Sequence, residues 1–185
     1  MGRGCLAGPV FAAAVILSKN INTNDIKDSK KVTFKNRILL SNYIKKNSIF
    51  AIGMASVEEI EKINILNASL LSMKRALNKL KTKPTIAYID GVFFPKNLNI
   101  KCKTFIKGDQ KIKCISAASI IAKTARDLFM INLSKKYPEY GWQKNFGYGT
   151  KHHLLSLKKY GITTHHRKKF KPIHNILIQN KRETL

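Results

Sequence analysis

Carboxylates are scarce in this chain, so each one is conspicuous. Ten Asp and Glu stand among 35 Lys and Arg, for a formal net charge of +25. Glu58, Glu59 and Glu61 cluster at the start of one helical pattern, where negative charge suits the helix dipole and needs no further role. Asp90 and Asp109 are different. Each closes a short β-prone run, in Ile89-Asp90-Gly91 and Lys107-Gly108-Asp109. In layered α/β proteins the carboxyl ends of strands are where sites are built. Two such side chains can hold Mg²⁺ through oxygen. In a strongly basic chain, convergent carboxylates suggest metal-assisted phosphodiester hydrolysis, the metal activating water and stabilising the leaving oxygen. An ordinary turn is the competing reading of both motifs, and spacing alone does not separate the two.

Composition narrows the classes. The chain has 185 residues, 44% of them hydrophobic, enough to bury a core and too many for a disordered chain. Cys5, Cys102 and Cys114 cannot pair evenly and lack short metal-ligand spacing, so reduced thiols with structural roles are expected. The basic excess repels itself unless a polyanion is near, and nucleic acid is the usual polyanion. Part of the lysine count is bland, since the chain is rich in Lys, Ile and Asn throughout. The longest apolar run, residues 5–17, is broken by Gly8 and Pro9 and is too short to cross a bilayer. Ser18-Lys19-Asn20 follows it instead of a cleavage site, and Leu6 stands where a myristoylation motif needs Ser or Thr. A cytoplasmic protein without membrane attachment is expected.

The elements that must carry the two aspartates are readable from periodicity. Strands are predicted over residues 9–17, 49–57, 85–89 and 101–106. Thr33 caps a helix to Lys46, Ser56 and Glu59 form a capping box, and Thr150 caps a helix closed by Gly161. Residues 64–80 form an amphipathic helix with Leu66, Leu70, Met73, Leu77 and Leu80 on one face. Residues 116–135 form a longer helix that opens with small apolar residues and lies on the sheet. The final stretch is basic, with an apolar patch at Ile173, Ile176, Leu177 and Ile178. This pattern implies an α/β layered fold in one domain, residues 1–185, with a helical, basic C-terminal part from about residue 150.

Ordered motifs then identify a family. Gly2-Arg3-Gly4-x-Leu6-Ala7-Gly8-Pro9-Val10, Asp28-Ser29-Lys30-Lys31 and Ile63-Asn64-Ile65-Leu66 come first. Ile89-Asp90-Gly91, Lys107-Gly108-Asp109, the run from Ser116 to Lys123, and Arg126-Asp127 follow. Tyr137-Pro138-x-Tyr140-Gly141, Gly147-Tyr148-Gly149-Thr150 and His166-Arg167 close the series. In this order, over nearly the whole chain, they resemble bacterial ribonuclease HII. The resemblance implies an RNase H-like central mixed sheet flanked by helices, with a helical C-terminal extension. It implies an endonuclease that cuts the RNA strand of RNA–DNA hybrids and cuts at ribonucleotides embedded in duplex DNA. The products carry 3′-hydroxyl and 5′-phosphate ends, and the cofactor is Mg²⁺ or Mn²⁺. It suggests a monomer.

The same resemblance assigns residues. Asp90 and Asp109 become catalytic metal ligands. Asp127, on a helix, is read as structural pairing. The Gly2-Arg3-Gly4 loop is similar to the family's loop that approaches the ribose 2′-hydroxyl, where glycine admits close backbone contact. Tyr148 resembles the family tyrosine that stacks on the sugar 3′ of the ribonucleotide. Ser29, Lys30 and Lys123 are candidate phosphate contacts. Trp142 is expected in the core or its rim.

The match also breaks. The family's motif begins with Asp-Glu two residues before Gly-Arg-Gly, at the end of a central strand, whereas Met1 stands just before Gly2 here. Two of four family carboxylates and that strand are therefore not in the sequence. A start codon assigned at an internal Met is one reading, favoured because Asp90, Asp109 and Tyr148 remain. A relic that binds nucleic acid without cutting is the other. A generic basic RNA-binding protein of ribosomal type needs neither the aspartates nor the ordered motifs. Smaller departures are Asn145-Phe146 for the usual His-Lys, Val92 for a common Asn, and Lys169 for a common Ser.

Overall fold

The structure is a computed structural model that describes residues 1–24, 26 and 32–183. They pack into two compact units, neither of them one continuous stretch of chain. The first holds residue 1, residues 11–54 and residues 69–125; the second holds residues 2–10, 55–68 and 126 onward.

In chain order the elements are β1 (Val10–Leu17), α1 (Phe34–Lys46), β2 (Ser48–Ala55), α2 (Val57–Asn78), β3 (Ile86–Asp90) and β4 (Lys101–Phe105). Then come α3 (Gly108–Lys111), α4 (Lys113–Ser134), a 3-10 turn (Pro138–Tyr140), α5 (Trp142–Asn145), α6 (Lys151–Tyr160) and α7 (Lys171–Glu183). The predicted caps are in place. Thr33 Oγ1 accepts from the Asn36 amide, and Thr150 Oγ1 accepts from the His153 amide. The Ser56 amide donates to Glu59 Oε2 at 2.9 Å while the Glu59 amide donates to Ser56 Oγ at 3.1 Å, a reciprocal capping box.

The first unit carries the strands. They form two pairs, β1 with β2 and β3 with β4, among the described residues. β3 and β4 run parallel, in register from Ile86 opposite Lys101 to Asp90 opposite Phe105. Ile44 of α1 and Ala117, Ile120 and Ile121 of α4 are buried against Val15, Leu17, Phe50 and Ile52 of β1 and β2. A second cluster joins Ala14, Ala51, Ala76 and Leu80. A Cβ on Gly53 would collide with the Ser72 carbonyl, so glycine is what lets α2 press onto β2. A mostly apolar cavity of about 430 Å³ is lined by consecutive residues of β1 (Phe11–Leu17) and of β3 (Ile86–Asp90), with Met1 at its wall. Consecutive residues line a space only where a strand turns its edge to it. Met1 and Phe11 exchange both backbone hydrogen bonds there.

The second unit is built around Trp142, fully buried as expected and stacked on Tyr140 at 5.1 Å between ring centroids. Met130, Leu157 and Ile173 complete its core. Ala7 and His166 form an isolated antiparallel bridge that ties the chain's start to the segment before α7. The three cysteines are free thiols, with Cys5 buried.

Candidate functional site

Parallel pairing of β3 and β4 ends the two strands together, and the candidate carboxylates Asp90 and Asp109 lie on and just after those ends. Asp90 is the last residue of β3, level with the last residue of β4, and the Gly91 amide donates to the Phe105 carbonyl just beyond it. The chain then turns through Lys107, which sits in the left-handed region at φ 55°, into α3. Asp109 therefore lies in the first turn of a short helix, four residues past the strand, and not on the strand end itself. The Gly108 amide, next to Asp109 in sequence, donates to Asp90 Oδ1 at 2.9 Å. A Cβ on Gly108 would sit 2.7 Å from Ile115 Cδ1, so any larger residue there would have to displace the Ile115 side chain. Asp90 is exposed and Asp109 is buried.

Among the described residues no group of three or more His, Cys, Asp or Glu gathers around one point. Two carboxylates still suit a hard divalent cation. Mg²⁺ keeps several waters and commonly takes only one or two carboxylates plus substrate phosphate oxygens. Oxygen-only donors match Mg²⁺ and Mn²⁺ rather than softer metals.

The second unit holds a different assembly. The Leu6 and Ala7 amides both donate to the Gly147 carbonyl, at 2.8 and 3.3 Å, which joins the Gly2-Arg3-Gly4 segment to the turn bearing Tyr148. A Cβ on Gly147, at φ 83°, would fall 2.6 Å from the Ala7 carbonyl oxygen. Tyr148 is 43% exposed, and its phenol is hydrogen-bonded to the Cys5 side chain. Partial burial raises the phenol's pKa, and the neighbouring Cys5 adds to the rise. Arg3 and Gly4 are exposed and Gly2 is buried. Two sequence-assigned substrate elements thus stand side by side, with an arginine and an aromatic edge open to solvent.

Two buried arginines lock this assembly. Arg126 donates from Nε to the Pro9 carbonyl, from Nη1 to that of Phe146 and from Nη2 to that of Ala7. Arg167 donates to the carbonyls of Gly8, Arg3 and Gly2, the last at 2.7 Å. Burial lowers the Arg167 pKa to about 10, which still leaves it a cation at neutral pH. Both arginines belong to the sequence motifs, yet no functional weight falls on them from pattern alone, because a buried cation has no periodic signature. Asn145, one of the family departures, is at home here. Its side chain donates to the Tyr140 carbonyl and accepts from the Gly147 amide, while its carbonyl accepts from the Tyr148 amide. Lys169, another departure, donates from Nζ to the Glu61 carbonyl at 2.6 Å.

The remaining candidates are placed more simply. Lys123 is half-buried midway along α4 in the first unit. Asp127 is fully buried, as a structural residue should be. Ser29 and Lys30 lie outside the described residues. No helix among the described residues is long and apolar enough to cross a membrane.

The ribonuclease HII family model matches residues 1–173. Ribonuclease HII of Pelagibacter ubique (strain HTCC1062) is 59% identical over 177 residues, covering 96% of this chain and 95% of the relative. Ribonuclease HII of Neisseria meningitidis serogroup B is 48% identical over 179 residues, covering 96% and 92%. The crystal structure of ribonuclease H2 from Pyrococcus horikoshii OT3 superposes with a TM-score of 0.79 at 29% identity, over 98% of this chain and 96% of that one. Bst-RNase HIII, solved in complex with Mn²⁺, shares the fold at a TM-score of 0.76 and 15% identity, over 98% of this chain and 68% of that one. An α/β fold of the RNase H kind, motifs in order along the chain and near-full-length identity agree: the chain belongs to the ribonuclease HII family, nucleases of the ribonuclease H type.

Proposed function

We propose that this chain is a divalent-metal-dependent endonuclease acting on RNA–DNA hybrids and on duplex DNA that contains ribonucleotides. It leaves 3′-hydroxyl and 5′-phosphate ends. The observation that supports the reading is the return of the chain at Gly108, whose amide donates to Asp90 Oδ1 at the carboxyl end of two parallel strands, one residue before Asp109. Mg²⁺ or Mn²⁺ held by Asp90 and Asp109 would supply activation of water and stabilisation of the leaving oxygen. The protein's own contribution is recognition. The Gly2-Arg3-Gly4 loop, exposed at Arg3 and Gly4, approaches the ribose, Tyr148 offers a ring to the adjacent sugar, and Lys123, with Ser29 and Lys30, contacts phosphates. The net charge of +25 draws in the duplex. The interleaving of the two units along the chain supports their acting as one nuclease domain. The family reading makes it a monomer in the cytoplasm.

Asp90→Asn tests this reading. It should abolish cleavage of a hybrid and weaken Mn²⁺ binding, yet spare or strengthen duplex binding because a negative charge is removed. Cleavage at the parent rate by that variant would refute the metal site. A second reading, a binder that does not cut, draws on the absence, among the described residues, of any group of three or more His, Cys, Asp or Glu around one point. It predicts that parent and Asp90→Asn bind duplexes alike and that neither cleaves.

A further inference from the structure

Tyr148 sits on an exposed turn between α5 and α6, a place where a side chain ordinarily wanders. Its backbone is nevertheless held closely. The Tyr148 amide donates to the Asn145 carbonyl at 2.9 Å, and its own carbonyl accepts from the Thr150 amide at 2.9 Å. A further contact to that carbonyl comes from the His153 ring, whose Nδ1 lies 2.8 Å away.

The protons of this ring are dictated by its neighbours. The Thr163 amide can only donate, and it points at His166 Nδ1 at 2.9 Å. The single proton of a neutral His166 is therefore on Nε2, which lies 3.1 Å from His153 Nε2. The Trp142 indole can also only donate, and it points at the same His153 nitrogen at 3.1 Å. His153 Nε2 is thus an acceptor, its single lone pair shared between the two donors, and the His153 proton is on Nδ1, aimed at a carbonyl that can only accept. One proton arrangement satisfies every group, and it needs both rings neutral. Burial lowers the pKa of both histidines, in keeping with that requirement.

We propose that His153 is a positioning residue for Tyr148. Its ring, locked in the Nδ1–H tautomer by Trp142 and His166, pins the Tyr148 carbonyl and so fixes where the exposed tyrosine ring meets a ribose. The inference rests on the reading of Tyr148 as a sugar contact.

Two isosteres separate positioning from packing. Asn places its amide nitrogen where Nδ1 stands and keeps the bond to Tyr148, whereas Gln reaches the Nε2 position and loses it. The readout is the ratio of affinities for a duplex with one ribonucleotide and for the all-DNA duplex of the same sequence, measured by fluorescence anisotropy in EDTA. His153→Asn should keep the parent ratio within about twofold. His153→Gln should lower it about fivefold, the worth of one net hydrogen bond, toward the value for Tyr148→Ala. In a Tyr148→Ala background neither substitution should move the ratio further. Equal losses for Asn and Gln would overturn the proposal, as would a parent ratio in His153→Gln. A parent ratio of one, unchanged in Tyr148→Ala, would instead remove the reading of Tyr148 and the proposal with it. A second measurement needs no variant. Long-range ¹⁵N–¹H spectra of the parent should show His153 as the Nδ1–H tautomer and His166 as the Nε2–H tautomer, and the opposite tautomer for His153 would overturn the proposal by itself.

Discussion

Arg167 shows how much of the Gly2-Arg3-Gly4 segment can depend on one buried side chain. Its guanidinium fork serves the carbonyls of Gly2, Arg3 and Gly8 together. Lysine offers a point charge and cannot reach three carbonyls in one plane. Arg167→Lys should therefore cost about 3 kcal/mol, since hydrogen bonds to a charged group are worth about 1.5–3 kcal/mol each and Lys keeps some of them. For a chain of this size that is a fall of roughly 6–12 °C in Tm, readable by calorimetry. Hybrid binding should weaken as well, because the Gly2-Arg3-Gly4 backbone is released. A loss below about 2 °C would mean that other contacts hold the loop. The residue scale also marks the limit of pattern reading. Asp90 and Asp109 stand out because acids are rare and strand ends are legible as sites in principle. Gly2, Arg3, Gly4 and Tyr148 gain meaning only through the family resemblance. Arg126 and Arg167 act through carbonyls far off in sequence, and His153 through a carbonyl five residues back across a turn, which no spacing rule records.

At the scale of elements, capping chemistry is the most readable signal, because a cap bonds within three residues of itself. Thr33, the Ser56–Glu59 box and Thr150 all act where the sequence places them. What depends on distant partners is less visible. The pairing of strands in twos and the short α3 are examples. Asn64 lies between these cases. The expected boundary at Asn64 is present, but α2 runs through it, with Asn64 at φ 66° and ψ 167° inside the helix. Its Oδ1 accepts from the Asn67 amide at 3.1 Å and so restarts the helix as a cap. That backbone region is nearly confined to glycine and costs other residues about 1–3 kcal/mol. Asn64→Ala keeps the strain and loses the cap, so it should destabilise by about 1 kcal/mol. Asn64→Gly loses the cap but relieves the strain, and should match or exceed the parent in urea unfolding. If Ala proves better than Gly, the kink is not strained as its dihedral angles require.

On the scale of the whole molecule, charge decides how the protein meets its solvent and its substrate. A net +25 makes duplex binding an ion-exchange reaction, and the logarithm of its affinity should fall linearly with the logarithm of salt concentration, by about 0.9 per phosphate neutralised. Acid stability is set in part by histidines that burial holds neutral, because they must take up a proton as the pH falls. His166 is 1% exposed, and burial, with His153 and His165 beside it, lowers its pKa to about 3. Tyr140 packs on its ring as well. In the unfolded chain the same group takes up a proton near pH 6.5. Stability from this residue is therefore complete above about pH 6.5 and is lost as the pH falls towards 3, where the folded form protonates too. The loss approaches about 1.4 kcal/mol per pH unit, or about 2 kcal/mol by pH 5. His166→Gln retains a donor toward His153 but cannot titrate. Urea unfolding at pH 7 and pH 5 should show the parent losing that increment and the variant losing clearly less. Parallel losses in both would place the acid sensitivity elsewhere and would show His166 protonated in the folded chain well above pH 3.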